Sequence, residues 1–177
     1  TLLEKSHFSL NHHIVLLAWE RGVHLARPRN SSVIIRPMNL DDLQAVAELD
    51  AAAFGPLWRN SRESLSLAFR QAAVATVAVD ANVCLGYQIS TASPMGGHLA
   101  RLAVLPQAQG KGIGYALVYD LLNQFERRGA TRVTVNTQED NLASLSLYRK
   151  TGFQATHEKY PVYQLKIQPD LHIRRVV

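Results

Sequence analysis

At 177 residues, 47% of them hydrophobic and 19% charged, the chain has the size and composition of one globular domain with a full core, and no low-complexity tract interrupts it. A formal net charge of +5 fits an anionic ligand, but the basic residues are scattered and cluster no further than pairs such as Arg174-Arg175, which argues against a nucleic-acid partner. One cysteine, Cys84, excludes an internal disulfide and fits a reducing compartment; the apolar run 13–19 is too short to cross a membrane. A cytoplasmic protein with no membrane partner, a monomer or a homodimer, is expected.

In chain order, residues 2–5 are helix-like, 13–19 read as a strand, and 27–32 as a linker. Residues 2–8 echo 147–153 at the first leucine, the lysine and the phenylalanine. Residues 1–32 are therefore expected to be an N-terminal extension, the tail of a degenerate preceding repeat, ahead of a domain spanning 33–177. The chain opens on Thr1, as a processed or truncated product would. Residues 33–37 read as a strand. Asn39 is placed to cap a helix with Asp42 at its third position, and Leu43, Val46, Ala47 and Phe54 form the apolar face of that helix. A second helix is expected over 61–73. Strands at 74–79 and 83–90 flank the tight turn Asp80-Ala81-Asn82, and a second turn at 93–97 leads to a strand over 99–104.

At the end of that strand lies Gln109-Gly110-Lys111-Gly112-Ile113-Gly114, followed by a helix whose apolar residues recur at Ile113, Leu117, Leu121 and Phe125. Glycines at a strand-to-helix junction remove the side chains that would keep a ligand off the backbone. The first amides of the helix lack carbonyl partners and point, with the positive end of the helix dipole, into the loop. This is a seat for phosphate. It is not a P-loop, because Lys111 is followed by Gly112, and its Gly-x-Gly-x-Gly spacing is not the dinucleotide fingerprint. A strand over 132–136, a helix over 142–150 and a last strand over 163–167 complete an α/β sandwich, a mixed sheet with helices on both faces.

The hexapeptide 109–114 resembles the Arg/Gln-x-x-Gly-x-Gly/Ala signature of the GNAT superfamily of N-acetyltransferases. Asn141-Leu142-Ala143-Ser144-Leu145-Ser146-Leu147-Tyr148, ending in Gly152-Phe153, is similar to that family's second motif. The resemblance implies a single GNAT-like sandwich with a mixed, mostly antiparallel sheet. It also implies acetyl-CoA as co-substrate, with no metal, and transfer of its acetyl group to a primary amine of a small molecule or a peptide by direct attack. A catalytically idle, coenzyme-A-binding member is the alternative. By that resemblance the cofactor is held by Leu102, Ala103, Val104, Gln109, Gly110, Lys111, Gly112, Ile113, Gly114, Asn141, Ser144 and Tyr148. Tyr148 is the acid that protonates the leaving thiolate, and strand amides at 102–104 serve the developing oxyanion.

The base is open. Where the branch acting on protein N-termini has a glutamate, this chain has Asn136, which cannot take a proton but can orient water or substrate. Glu139 in the adjoining loop, His98, and His157 with Glu158 are the titratable alternatives; solvent is another. Phe54, Trp58, Tyr160 and Tyr163 are the expected walls of the acceptor pocket.

Overall fold

The computed structural model describes residues 2–28, 32–94 and 96–165. The Arg174-Arg175 cluster, the centre of the 27–32 linker, Met95 and the end of the expected strand 163–167 lie outside them.

Seven strands form one sheet. They are β1 (Ser9–Glu20), β2 (Ile34–Pro37), β3 (Val74–Asp80), β4 (Val83–Ser93), β5 (Gly96–Val104), β6 (Arg132–Gln138) and β7 (Gln154–Gln164), lying in the order β2-β3-β4-β5-β6-β1-β7. Every neighbouring pair is antiparallel except β5 and β6, which are parallel. A parallel pair needs a crossover, and helix α4 (Ile113–Arg127) supplies it. The other helices are α1 (Leu2–Lys5), α2 (Leu43–Ala53), α3 (Arg62–Arg70) and α5 (Leu142–Lys150). None is long and apolar enough to cross a membrane.

Local signals set most of these boundaries. Asn39 accepts from the amides of Asp41 and Asp42 while Asp42 accepts from the Asn39 amide, a capping box that opens a short 3-10 turn leading into α2. Ser61 caps α3 through the Ser64 amide. Ala81 and Asn82 take positive φ, as the two central residues of a tight β3–β4 hairpin do. Strand alternation then divides the core. Val77, Tyr87, Ile89 and Ala103 pack under α2 and α3 with Leu43, Val46 and Leu65. On the other face Leu17, Trp19, Val133 and Val135 pack with Leu121 and Phe125 of α4, Leu145 of α5 and Phe153, the residue before β7.

Two features depart from the sequence expectation. The segment expected as an N-terminal extension contributes β1, an interior strand inserted between β6 and β7, with Leu16 opposite Asn136 and Ile14 opposite Tyr160. The last strand begins at Gln154 rather than near Tyr163. As an edge strand it is mostly exposed, and it carries Pro161 and the positive-φ residue His157, so it lacks apolar alternation.

Candidate active site at the end of the parallel strand pair

The site is set by an irregularity in β5. Ile89 of β4 pairs with Arg101 whereas Ser90 pairs with Leu99, so Ala100 is an extra residue. A bulge of this kind breaks alternation. Leu99 belongs to the core beneath α4 and α5, and Arg101, two residues on, reaches Asp50 of α2 on the opposite face. The ladder between β5 and β6 also stops here, with Gly97, His98 and Leu99 opposite Val133, Thr134 and Val135 and no pairing beyond. Past this point a cleft of about 200 Å³ opens between the two strands. Its apolar lining is Ile14 of β1 with Phe54 and Trp58 from the loop after α2; its polar lining is Arg101, Asn136, Thr137, Gln138 and Asn141.

Arg101 is held rigidly. Its Nε donates to Asp50 Oδ2 at 2.8 Å and its Nη2 to Asp50 Oδ1 at 2.9 Å and to the Trp58 carbonyl at 2.7 Å. The Phe54 ring covers the guanidinium, with Cζ 3.5 Å from the ring centroid. Asp50 is fully buried, and its carboxylate also accepts the Tyr87 hydroxyl at 2.5 Å and the Asn60 amide at 2.6 Å. Burial first, and then the neighbouring Asp50 charge, push the Tyr87 phenol far above its usual range, so it is a permanent donor. Burial alone would lower the Arg101 guanidinium, but its hydrogen bonds to Asp50 and Tyr87 outweigh that and raise it.

The glycine loop stands at the other end of β5. Gly112 is the N-cap of α4 at φ 82°, and no side chain caps the helix. Gly110 has φ 76°, and a Cβ built at either glycine meets nothing within 4 Å. No acidic residue occupies the first turn of α4. The helix start thus leaves open space in front of backbone donors, with no carboxylate of its own to compete for them. Lys111 is exposed, and Gln109 turns back so that its Nε2 donates to the Val104 carbonyl at 3.2 Å. Gly114 serves packing instead: a Cβ there would lie 3.1 Å from Leu147 Cδ2, so the glycine permits α4 and α5 to approach.

The expected site residues separate into two groups. Phe54, Trp58, Asn136 and Asn141 meet at the cleft. Asn141 also caps α5 through Oδ1 to the Ser144 amide at 3.1 Å. Tyr148 lies on α5, buried and tilted against Phe153 at 5.7 Å, and burial raises its phenol. Tyr148, Tyr160, Tyr163 and Glu139 are not part of the cleft lining. Tyr160 is half exposed and donates to Glu158 at 2.6 Å. Glu139 is held by Lys159 Nζ at 3.0 Å and His13 Nδ1 at 2.8 Å, and those two contacts lower its carboxyl below the ordinary range. His98 is half-buried with Nδ1 2.9 Å from Thr134 Oγ1, and burial lowers it.

Sequence reasoning missed Arg101, Asp50 and Ile14. The signal for the first two was present: Asp50 falls on the apolar face of α2, seven residues after Leu43 and four before Phe54, and Arg101 interrupts an apolar strand. Two opposite charges on surfaces that must be buried call for each other.

Comparison with known proteins agrees with this geometry. The chain is 33% identical over 67 residues to N-alpha-acetyltransferase 30 of Schizosaccharomyces pombe, covering 38% of this chain and 45% of that protein; the chain thus matches less than half the length of that relative. In fold it resembles a GCN5-related N-acetyltransferase from Sphaerobacter thermophilus, with a TM-score of 0.77 and 20% identity over 92% of this chain and 54% of the other. It likewise resembles the PaiA N-acetyltransferase of Thermoplasma acidophilum, solved in complex with coenzyme A, with a TM-score of 0.64 and 18% identity over 70% of this chain and 91% of the other. The model of the acetyltransferase (GNAT) family matches residues 43–153, from the start of α2 through both glycine motifs, and the chain belongs to that family.

Proposed function

We propose that this chain moves an acetyl group from acetyl-CoA to a primary amine of a small molecule or a peptide. The observation that carries this is the continuity of β5. The strand links an uncapped, glycine-lined helix start, suited to a pyrophosphate, to a cleft where the strand edge has lost its β6 partner. The residues present fit the group. Two positive-φ glycines leave open space over helix amides that no side chain caps, and no acid in the first turn repels phosphate.

Gln109 to Gly114 would hold the pyrophosphate, with Lys111 adding a positive charge. Backbone donors of Leu102, Ala103 and Val104 would face the reacting carbonyl, and Asn141, Ser144 and Tyr148 would hold the pantetheine end. Acetyl-CoA supplies the thioester whose acetyl group is transferred. The Tyr148 phenol, kept protonated by burial, is the donor for the departing sulfur. It has no hydrogen-bond partner among the described residues, so its proton is uncommitted. Asn136 would orient substrate or water. Glu139 is a poor base, because Lys159 and His13 already hold its carboxylate.

Thiol release from acetyl-CoA, measured across a panel of amines, tests the reading. Tyr148→Phe should lower kcat by about 10²–10⁴ while CoA binding and thermal stability stay near wild type. The idle alternative draws on Asn136 standing where a carboxylate base is expected. A CoA-induced thermal shift with no thiol release from any amine would favour it.

A further inference from the structure

Given the transferase reading above, on which this inference rests, one role is unassigned: the group that takes the proton of the attacking amine. The polar side chains in the cleft lining offer none, since Asn136, Gln138 and Asn141 are amides, Thr137 is an alcohol and Arg101 is a permanent cation. The carboxylates nearby are committed. Asp50 is saturated by Tyr87, Asn60 and two nitrogens of Arg101. Glu139, next to Gln138, gives one oxygen to Lys159 and the other to His13, and those contacts lower its carboxyl, which makes it a weaker proton acceptor. His98 has its Nδ1 against Thr134 Oγ1 and does not line the cleft.

Behind the lining stands His12. It lies on β1 two residues before Ile14, and the pairing of β1 with β7 is regular from His12 to Val15, so alternation puts the His12 and Ile14 side chains on one face of the sheet. His13, between them, points away and is taken by Glu139. The His12 ring packs edge-on against Trp58, with ring centroids 5.6 Å apart at 62°, and Trp58 itself lines the cleft. One indole therefore separates the imidazole from the cleft. Nε2 of His12 is buried and has no hydrogen-bond partner among the described residues. Buried polar atoms are nearly always paired, so this nitrogen calls for a partner that arrives with a ligand. The cover over it is free to turn. The Trp58 backbone is fixed, its N–H donating to the Gly55 carbonyl at 2.9 Å and its own carbonyl accepting from Arg101 at 2.7 Å. The residue is 40% exposed, and its indole makes no hydrogen bond among the described residues, so turning breaks none.

We propose that His12 accepts the proton of the amine at this cleft and that Trp58 is its cover, the indole turning aside as the acceptor enters. The amine nitrogen forms a bond to the acetyl carbon, and its surplus proton passes to Nε2 of His12. The carbon–sulfur bond breaks, the sulfur takes the Tyr148 proton, and the imidazolium returns its proton to the phenolate through solvent. Imidazole suits the task, because it is the side-chain group that ordinarily exchanges a proton near neutrality. Charged groups on the surrounding elements are engaged elsewhere: Arg101 with Asp50, Glu139 with Lys159 and His13, and Glu158 with the Tyr160 hydroxyl. Arg59, beside Trp58, is exposed. β1 lies outside the residues 43–153 that the family model matches, so the proton acceptor comes from this chain's own first strand.

The test measures thiol release from acetyl-CoA by the full chain with isoamylamine, spermidine and leucinamide, and the fastest of them serves as the acceptor. His12→Gln, which keeps the bulk, and His12→Ala should each lower kcat by about a hundredfold or more at pH 7, with the CoA-induced thermal shift unchanged. At pH 9.5, where hydroxide stands in for the imidazole, the loss should shrink to about tenfold or less. Imidazole added to His12→Ala should raise the rate by about tenfold, whereas pyrazole, of the same size and a far weaker base, should not. Fluorescence, read against Trp58→Phe to isolate that indole, should change as the acceptor saturates. Losses below about threefold in both variants, a loss equal at the two pH values, or rescue by pyrazole as well as imidazole overturns the proposal and leaves the transferase reading standing. An unaltered Trp58 signal overturns the cover. Should both variants fail to fold, the wild-type profile decides: kcat must fall by about tenfold per pH unit on the acid side of neutrality, and a flat profile overturns the proposal. Thiol release with none of these or any other amine overturns the transferase reading itself.

Discussion

Replacing Asp50 with asparagine should be among the most damaging isosteric changes in the chain. The carboxylate is fully buried and receives four hydrogen bonds, two from the Arg101 guanidinium. Asparagine preserves the volume but turns one acceptor into an NH₂ donor, which must face either Arg101 or Tyr87. Arg101, with 19% of its side chain exposed, keeps its charge without a counterion. Breaking a buried pair by removing one partner costs about 3–5 kcal/mol, because the remaining ion stays desolvated. With a urea m-value of about 2 kcal/mol/M, the unfolding midpoint should fall by about 1.5–2.5 M. Adding Arg101→Met removes the stranded charge, so the double variant should be more stable than Asp50→Asn alone, by about 1–3 kcal/mol in a double-mutant cycle. The loss should also be insensitive to added salt. A surface pair such as Arg21–Glu126, 3.9 Å apart with both side chains over 40% exposed, should by contrast be screened. Midpoints within 0.5 M of wild type for Asp50→Asn, or a double variant no more stable than the single, would refute the view that this ion pair organises the site.

Two further outcomes follow from the glycine loop and from His98. Gly112→Ala introduces no clash, since its Cβ meets nothing within 4 Å, but it forces an alanine to φ 82°; the strain of about 1–2 kcal/mol should lower Tm by about 2–8 °C. If the loop holds the CoA pyrophosphate as proposed, CoA affinity, measured by calorimetry, should fall by about tenfold as the methyl group enters the open space before the helix amides, and unchanged affinity would count against CoA binding there. Burial lowers His98 below its ordinary value of 6.5. As pH falls the unfolded chain therefore protonates first, and the stability that His98 contributes above pH 6.5 is lost as pH drops through its folded pKa. His98→Gln should flatten the pH dependence of the urea midpoint in that window, by at most about 1.4 kcal/mol per pH unit; an unaltered slope would show that His98 is not the group responsible.

What could be read from the sequence was local or resided in a contiguous motif. The capping box of Asn39 and Asp42, the Ser61 cap, the turn at Ala81 and Asn82 and the full extent of α5 all depend on residues within a few positions of one another. The glycine-lined, uncapped start of α4 was legible for the same reason, because it is built by six consecutive residues. The cleft was not, since its walls come from β1, the loop after α2, β5, β6 and the start of α5, and only the tertiary fold brings them together. β1 illustrates this most clearly. Its residues 13–19 showed strand character, but nothing in them says that the strand pairs with β6 and β7, far along the chain, and thereby delivers Ile14 to the cleft.

Arg101 and Asp50 lie between these extremes. Each is a local anomaly, a charge on a face that must be buried, and the pairing resolves both anomalies at once. The bulge at Ala100 is what allows it. Without the extra residue Arg101 would share the face of Leu99 beneath α4 and α5, remote from Asp50. The same extra residue coincides with the end of the β5–β6 ladder and so with the opening of the cleft. One inserted residue therefore aims the guanidinium and frees the strand edge together. A change that removed the bulge would be expected to turn Arg101 away from Asp50 and close the cleft together.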